Sequence, residues 1–206
     1  MSFEYVGGDL AVDFLNTGDW TARGLENDLL SDYRRLLAWA TGAAALSTDT
    51  ASQLEHVARE HPAAAQSALA AAHRLRATIR TVFEAVVEGR APDLADLNAA
   101  LSQALPHRRL ESAPEAHWVW VDADRDLESP LWPVVLAAAT LLTSPDASRL
   151  RTCAKPDCGW MFVDRSRNGF RRWCQMSTCG NEEKTRRRAA RSASQNPNGS
   201  VARSSR

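Results

Sequence analysis

The sequence predicts a mainly α protein with a small β element, in which a helical N-terminal domain is followed by a compact segment built around cysteines. Three observations lead there. Apolar residues recur at helical spacing in five stretches before residue 149. A single stretch in that region, HRRLESAPEAHWVWVD, is rich in β-formers on either side of a turn-like SAPEA. All four cysteines lie between Cys153 and Cys179.

The elements follow in order. YVGGDLAVDFLNTG fits a strand through Leu10, Val12 and Phe14, and equally a short helix; periodicity leaves both open. From Asn27, the spacing of Leu29, Leu30, Tyr33, Leu36, Leu37 and Ala40 predicts a helix ending at Gly42. Ser47 to His61 predicts a second helix, stopped by Pro62. Ala63 to Val87 predicts the longest, with Leu69, Ala72, Leu75, Ile79, Val82 and Phe83 on one stripe and Gly89 beyond its end. Asp93 is placed to cap a short helix reaching Leu105. The β-forming stretch predicts a hairpin with Trp118 and Trp120 on one face, for core packing or a dimer surface. Ser129 to Thr143 returns to helix, since Pro130 and Pro133 are tolerable near a first turn.

The chain has 206 residues and no net charge, but the charge is unevenly placed. Residues 1–149 hold 12 Lys and Arg against 21 Asp and Glu, a net −9. Residues 150–206 hold 13 against 4, a net +9. A basic end on an acidic body points to a polyanionic partner, or to halves that attract each other. MSFEYVGGDLAVDF lacks the basic and apolar regions of a signal peptide. The apolar run Leu131 to Leu142 is too short to cross a bilayer. The expected location is therefore the cytoplasm, with no membrane partner. Clustered cysteines in a reducing compartment are first tested as metal ligands.

The cysteine pattern is Cys153-x4-Cys158, fifteen residues, then Cys174-x4-Cys179. Two close pairs joined by a hairpin-sized insert suit a tetrahedral zinc ion with four thiolates; disulfides, an iron–sulfur cluster and free thiols are the competing readings. Four thiolates leave no open coordination position, so such a zinc is structural, one per chain. The insert is expected to form its own hairpin, turning at Asn168-Gly169. Trp160, Phe162 and Trp173 are placed to form an apolar layer around the metal. Knuckle, hairpin and following helix together describe a treble-clef-like four-cysteine zinc finger.

The helix that follows is expected to start with Asn181 as its cap and Glu182 and Glu183 in its first turn. Lys184, Arg186, Arg187, Arg188 and Arg191 then form basic ridges. With Arg171, Arg172 and Asn181, these are the candidate nucleic-acid contacts; a solvated basic helix, and for Arg171 and Arg172 electrostatic support of the thiolates, are the plainer readings.

The block C-x4-CGWMFVDRSRNGFRRWC-x4-CGN, followed by Lys184 and arginines, resembles the CGNR zinc finger. GGDLAVDFLNT and a helical body of this length resemble the ABATE domain that precedes that finger. The resemblance implies a bacterial, stress-induced transcription regulator that binds zinc and DNA. The finger match rests on the cysteine spacing with Asp164, Ser166, Arg167, Asn168, Gly169, Arg171, Arg172 and Trp173. One departure stands out: Glu182 follows Asn181 where the family motif has arginine, which reverses a charge at a position that could meet phosphate.

The expected organisation is a helical, ligand-sensing or dimerising domain at residues 1–149, the finger and basic helix at 150–191, and a disordered tail at 192–206. Asp13, Asn16, Thr17 and Asp28 are candidate lining residues of a small-molecule pocket, or else helix caps and turn residues. The histidines form no ligand spacing, and no phosphate loop, nucleophile elbow or HExxH is present. The expectation is thus a non-enzymatic regulator binding DNA. The alternatives are a protein-interaction module docking through the finger, and an enzyme using Asp13 and Asp28.

Overall fold

A computed structural model describes residues 2–21, 24–112 and 114–195. The elements are α1 (Leu10–Leu15), β1 (Gly18–Thr21), β2 (Gly24–Asp28), α2 (Tyr33–Gly42), α3 (Thr48–Glu60), α4 (Pro62–Val87), α5 (Ala95–Ala104), β3 (Arg108–Glu111), β4 (His117–Trp120), α6 (Trp132–Thr143), β5 (Leu150–Thr152), β6 (Met161–Val163) and α7 (Asn181–Gln195). The described strands form three separate two-stranded antiparallel sheets.

The ambiguous N-terminal stretch is helical. The Asp9 carboxylate accepts the Ala11 amide and caps α1. Ala11, Val12, Phe14 and Leu15 are all buried, because α1 is enclosed by α4, α6 and β6. A helix covered on several sides shows no amphipathic stripe, which is why spacing alone left it undecided.

The helix expected from Asn27 begins later, and this corrects the sequence reading. Residues 18–28 form the β1–β2 hairpin, with Gly18 opposite Asp28 and Trp20 opposite Leu25. Asp32 caps α2 through the Arg35 amide, so Leu29 and Leu30 belong to the approach rather than the helix. The strand sequences GDWT and GLEND lack the β-branched alternation that announces a strand.

Ser47 caps α3, and Pro62 is the first residue of α4, where its missing N–H costs nothing. Helix α4 is the spine, touching α1, α2, α3, α5 and β5. Asp93 accepts the Ala95 amide, but the cap position of α5 is Leu94, which makes no side-chain cap bond, so the expected cap falls one residue early. The expected hairpin forms as β3–β4, pairing Arg109 with Val119 and Leu110 with Trp118. Trp120 turns inward beside Trp132, at a ring distance of 5.9 Å, while Trp118 is 56% exposed. A short 3-10 turn at Ser129–Leu131 leads into α6.

The C-terminal segment does not stand apart. Leu150, Met161 and Val163 belong to the same core as the helices. Strand alternation sends Met161 and Val163 to the helical body and Phe162 to the other face, where it packs with the cysteines, Trp160 and Trp173. Helix α7 continues to Gln195, so residues 192–195 are helical where the composition pointed to a tail; residues 196–206 lie outside the described residues.

Candidate functional site

Cys153 lies just after β5 and Cys158 shortly before β6, so the β5–β6 hairpin carries the first pair at its end. This corrects the expected hairpin, which was placed across Asn168-Gly169. That dipeptide does make a turn, with Gly169 at φ +66° and its amide bonded to the Ser166 carbonyl, but no strand pair flanks it. The second pair is held where Cys174 precedes, and Cys179 lies within, a π-helical turn at Met176–Gly180 that runs into α7.

The four Sγ atoms lie within 4.8 Å of one another. Cys158 and Cys174 are 3.8 Å apart, and Cys174 and Cys179 are 3.5 Å apart. Zinc–sulfur bonds of ~2.3 Å in a tetrahedron place sulfurs ~3.8 Å apart, so the spacing fits one zinc ion. No disulfide joins any of the four cysteines. Four sulfurs this close cannot all ionise unaided. Hydrogen bonds from Cys158 and Cys174 pull the Cys153 thiol down. The interaction with Cys153 in turn drives Cys158 and Cys174 upward. A divalent cation at the centre removes that conflict. The amides of Lys155 and Cys174 point to Cys153, and that of Trp160 to Cys158.

Several contacts seat this centre on the body. The Gly159 amide donates to the Trp20 carbonyl at 2.6 Å, and Arg80 donates to the Gly159 carbonyl while its guanidinium covers the Trp20 ring at 4.2 Å. A Cβ at Gly159 would lie 2.8 Å from the Trp20 carbonyl oxygen, so only glycine allows this approach. The Val163 amide donates to the Gly7 carbonyl at 2.7 Å.

Arg171 is a structural clamp. Its guanidinium donates to the carbonyls of Val6, Trp173 and Cys174 and lies over the Phe162 ring at 4.2 Å. These bonds, not an outward-facing charge, define its place. Arg172 is exposed beside the Trp173 ring. Buried Asp164 accepts the amides of Ser166 and Arg171 and the Ser166 hydroxyl; although burial works against its charge, these bonds keep its carboxyl below the usual range. Asn181 is not a capping acceptor, since its backbone is already helical and its Nδ2 donates to the Ser177 carbonyl.

Along α7, Glu183 alone between residues 181 and 192 is buried. Its carboxylate receives Arg186 and Arg187, which hold its pKa down to about 2. Lys184, Arg186, Arg187, Arg188 and Arg191 are exposed. Glu182 forms an ion pair with Lys155, tying the start of α7 to the first knuckle. The substitution in the family motif therefore has a local partner.

Asp13, Asn16, Thr17 and Asp28 are each engaged by neighbouring protein groups. Asn16 and Thr17 are each 2% exposed. The Asn16 side chain bonds the backbone of Met161, and Thr17 accepts from Arg76. Arg76, itself buried, is paired with Asp28, and His73 lies 3.5 Å from the same carboxylate. Asp13 accepts the Gly7 amide, and burial raises its carboxyl to about 6. These contacts are those of turn and packing groups. A cavity of about 770 Å³ lies elsewhere, between α4, α5 and α6. Asp96, Asp126, Glu128 and Arg74 line it, beside a stack of His107 on Trp132 at 3.9 Å. Sequence reading missed it because its residues come from three separated segments.

The geometry therefore defines a helical domain fused to a zinc finger with four cysteine ligands. Residues 8–145 match the ABATE family, described as "Putative stress-induced transcription regulator", and residues 149–192 match the CGNR zinc finger. The chain belongs to the ABATE family and carries a CGNR finger, and its cysteines can hold one zinc ion. No match was found among curated proteins. No helix among the described residues is long and apolar enough to cross a membrane.

Proposed function

We propose that the protein is a transcription regulator that contacts DNA through the exposed basic side of its finger. The observation carrying this reading is that α7 projects its cations outward while the finger is seated on the acidic body through its other side. The proposed contacts are Arg172, Lys184, Arg186, Arg187, Arg188 and Arg191. Asn181 is a backbone-positioning residue at the start of that helix, and Arg171 supports the surface from beneath. Zinc would be held by Cys153, Cys158, Cys174 and Cys179, which fixes the helix relative to the knuckles; it supplies structure rather than reactive chemistry.

Titration of a fluorescent duplex into the zinc-loaded protein tests the reading. Affinity should fall log-linearly with salt, with a slope of about −0.9 for each phosphate neutralised. Absence of affinity for any duplex at low salt removes the proposal. A tight, salt-insensitive complex with a protein would replace it with an interaction module.

Within the same reading, the cavity between α4, α5 and α6 is the sensing site. Its volume lies in the ligand-binding range, and carboxylates lining the same cavity as an aromatic stack suit an amphipathic cation. Thermal stabilisation by such compounds should be lost in Glu128→Gln; if no compound stabilises the protein, the sensing role falls.

A further inference from the structure

The finger's other aromatic residues, Trp160, Phe162 and Trp173, pack around the sulfurs, but Phe170 is 82% exposed. A single exposed apolar side chain ordinarily needs no explanation. Phe170 differs because its backbone is fixed on both sides. Gly169 closes a turn onto Ser166, and the Arg171 amide is held by the buried Asp164 carboxylate. The Arg171 guanidinium anchors the same residue to Val6, Trp173 and Cys174. The ring is therefore displayed on a braced loop.

It also has a neighbour. Met176, 44% exposed, shares with Phe170 a cleft of about 470 Å³ that Val6 and Trp173 also line. Arg172 lies on the same cleft and Arg167 is exposed on the same loop. An apolar projection with Arg172 on its cleft and Arg167 on its loop, in a segment that stays basic with four thiolates and a zinc ion bound, is complementary to a polyanion that carries flat apolar rings.

We propose that Phe170, supported by Met176, is a wedge that enters a base step of duplex DNA and unstacks it while the surrounding arginines hold the phosphates. This rests on the DNA-binding reading above and adds a statement about the DNA: the bound duplex is deformed at the contacted step. A flexible pyrimidine–purine step is the cheapest to open.

The experiment uses the zinc-loaded full chain and a duplex with 2-aminopurine at a central TA step, comparing wild type, Phe170→Ala and Phe170→Trp. Wild type should raise 2-aminopurine fluorescence on binding. Phe170→Ala should lose that signal and about tenfold in affinity, while keeping zinc content, melting temperature and salt slope. Phe170→Trp should retain both. If Phe170→Ala binds and unstacks as wild type does, the wedge is refuted and the DNA-binding reading stands. If wild type binds no duplex, both fall. If Phe170→Ala instead converts a dimer to a monomer in light scattering, Phe170 is a subunit contact and the wedge is refuted.

Discussion

The side-chain amide of Asn16 pairs with the backbone of Met161 in both directions. Its Nδ2 donates to the Met161 carbonyl at 2.9 Å, and its Oδ1 accepts the Met161 amide at 3.0 Å. Asn16 thus acts as a short extra strand on β6, joining the first helix of the body to the finger. Replacing it by alanine leaves two buried backbone groups of Met161 without partners. Asn16→Ala should cost about 2–4 kcal/mol in chemical denaturation. A loss below about 0.5 kcal/mol would show that the pair is dispensable.

The Asp28–Arg76 pair closes the β1–β2 hairpin onto α4. Burial opposes the charge of Asp28, but the hydrogen bonds and charge of Arg76 outweigh it and hold the carboxyl below its usual value. Its stabilising contribution is therefore present above the usual carboxylate pKa and lost as pH falls through the lower folded value. Asp28→Asn leaves the buried guanidinium without a counter-charge and should destabilise by about 3–5 kcal/mol. An unchanged denaturation midpoint at pH 7 would contradict this.

Asp13 has the opposite sign. Burial, reinforced by Asp9, raises its carboxyl to about 6 against the pull of the Gly7 amide and Arg171. The folded protein then binds a proton that the unfolded chain has released, so this group's contribution to stability declines as pH rises through about 6. Wild type should lose stability relative to Asp13→Asn between pH 5 and 7. Parallel melting curves for the two proteins across that range would refute the assignment.

Gly159 sets how closely the first knuckle approaches β1. Gly159→Ala introduces a Cβ 2.7 Å from the Trp20 Cβ and should cost about 1–3 kcal/mol through overpacking. Elemental analysis should still find one zinc per chain, while the melting temperature falls. Loss of zinc together with stability would place the role of Gly159 at the metal instead.

Glu183 neutralises part of the basic surface. With its pKa near 2 it is ionised at any pH used for DNA binding. Glu183→Gln should strengthen binding to a random duplex and steepen the salt slope by about one unit. A weaker complex would mean that Glu183 matters by orienting Arg186 and Arg187.

Much of this architecture was legible in local pattern. The stripes of α2 and α4, the β3–β4 hairpin and the cysteine spacing are each written within a few residues of themselves. The β1–β2 hairpin was not, because GDWT and GLEND are ordered by the pairing itself and by Arg76, far along the chain. The role of Arg171 was hidden for a related reason: a guanidinium facing carbonyls has the same sequence signature as one facing phosphate. Phe170 could have been noticed as an aromatic residue between a glycine turn and two arginines.

Taken alone, the sequence determined the helical body, the four sulfurs that can share one zinc ion, and the opposed charges of the two segments, since each depends on residue type and short-range spacing. Tertiary structure decided that the finger shares the helices' core, that Asn16 is fastened to Met161 and Asp28 to Arg76, and that α7 faces outward. Those outcomes depend on which distant backbone groups and charges meet once apolar surface is buried.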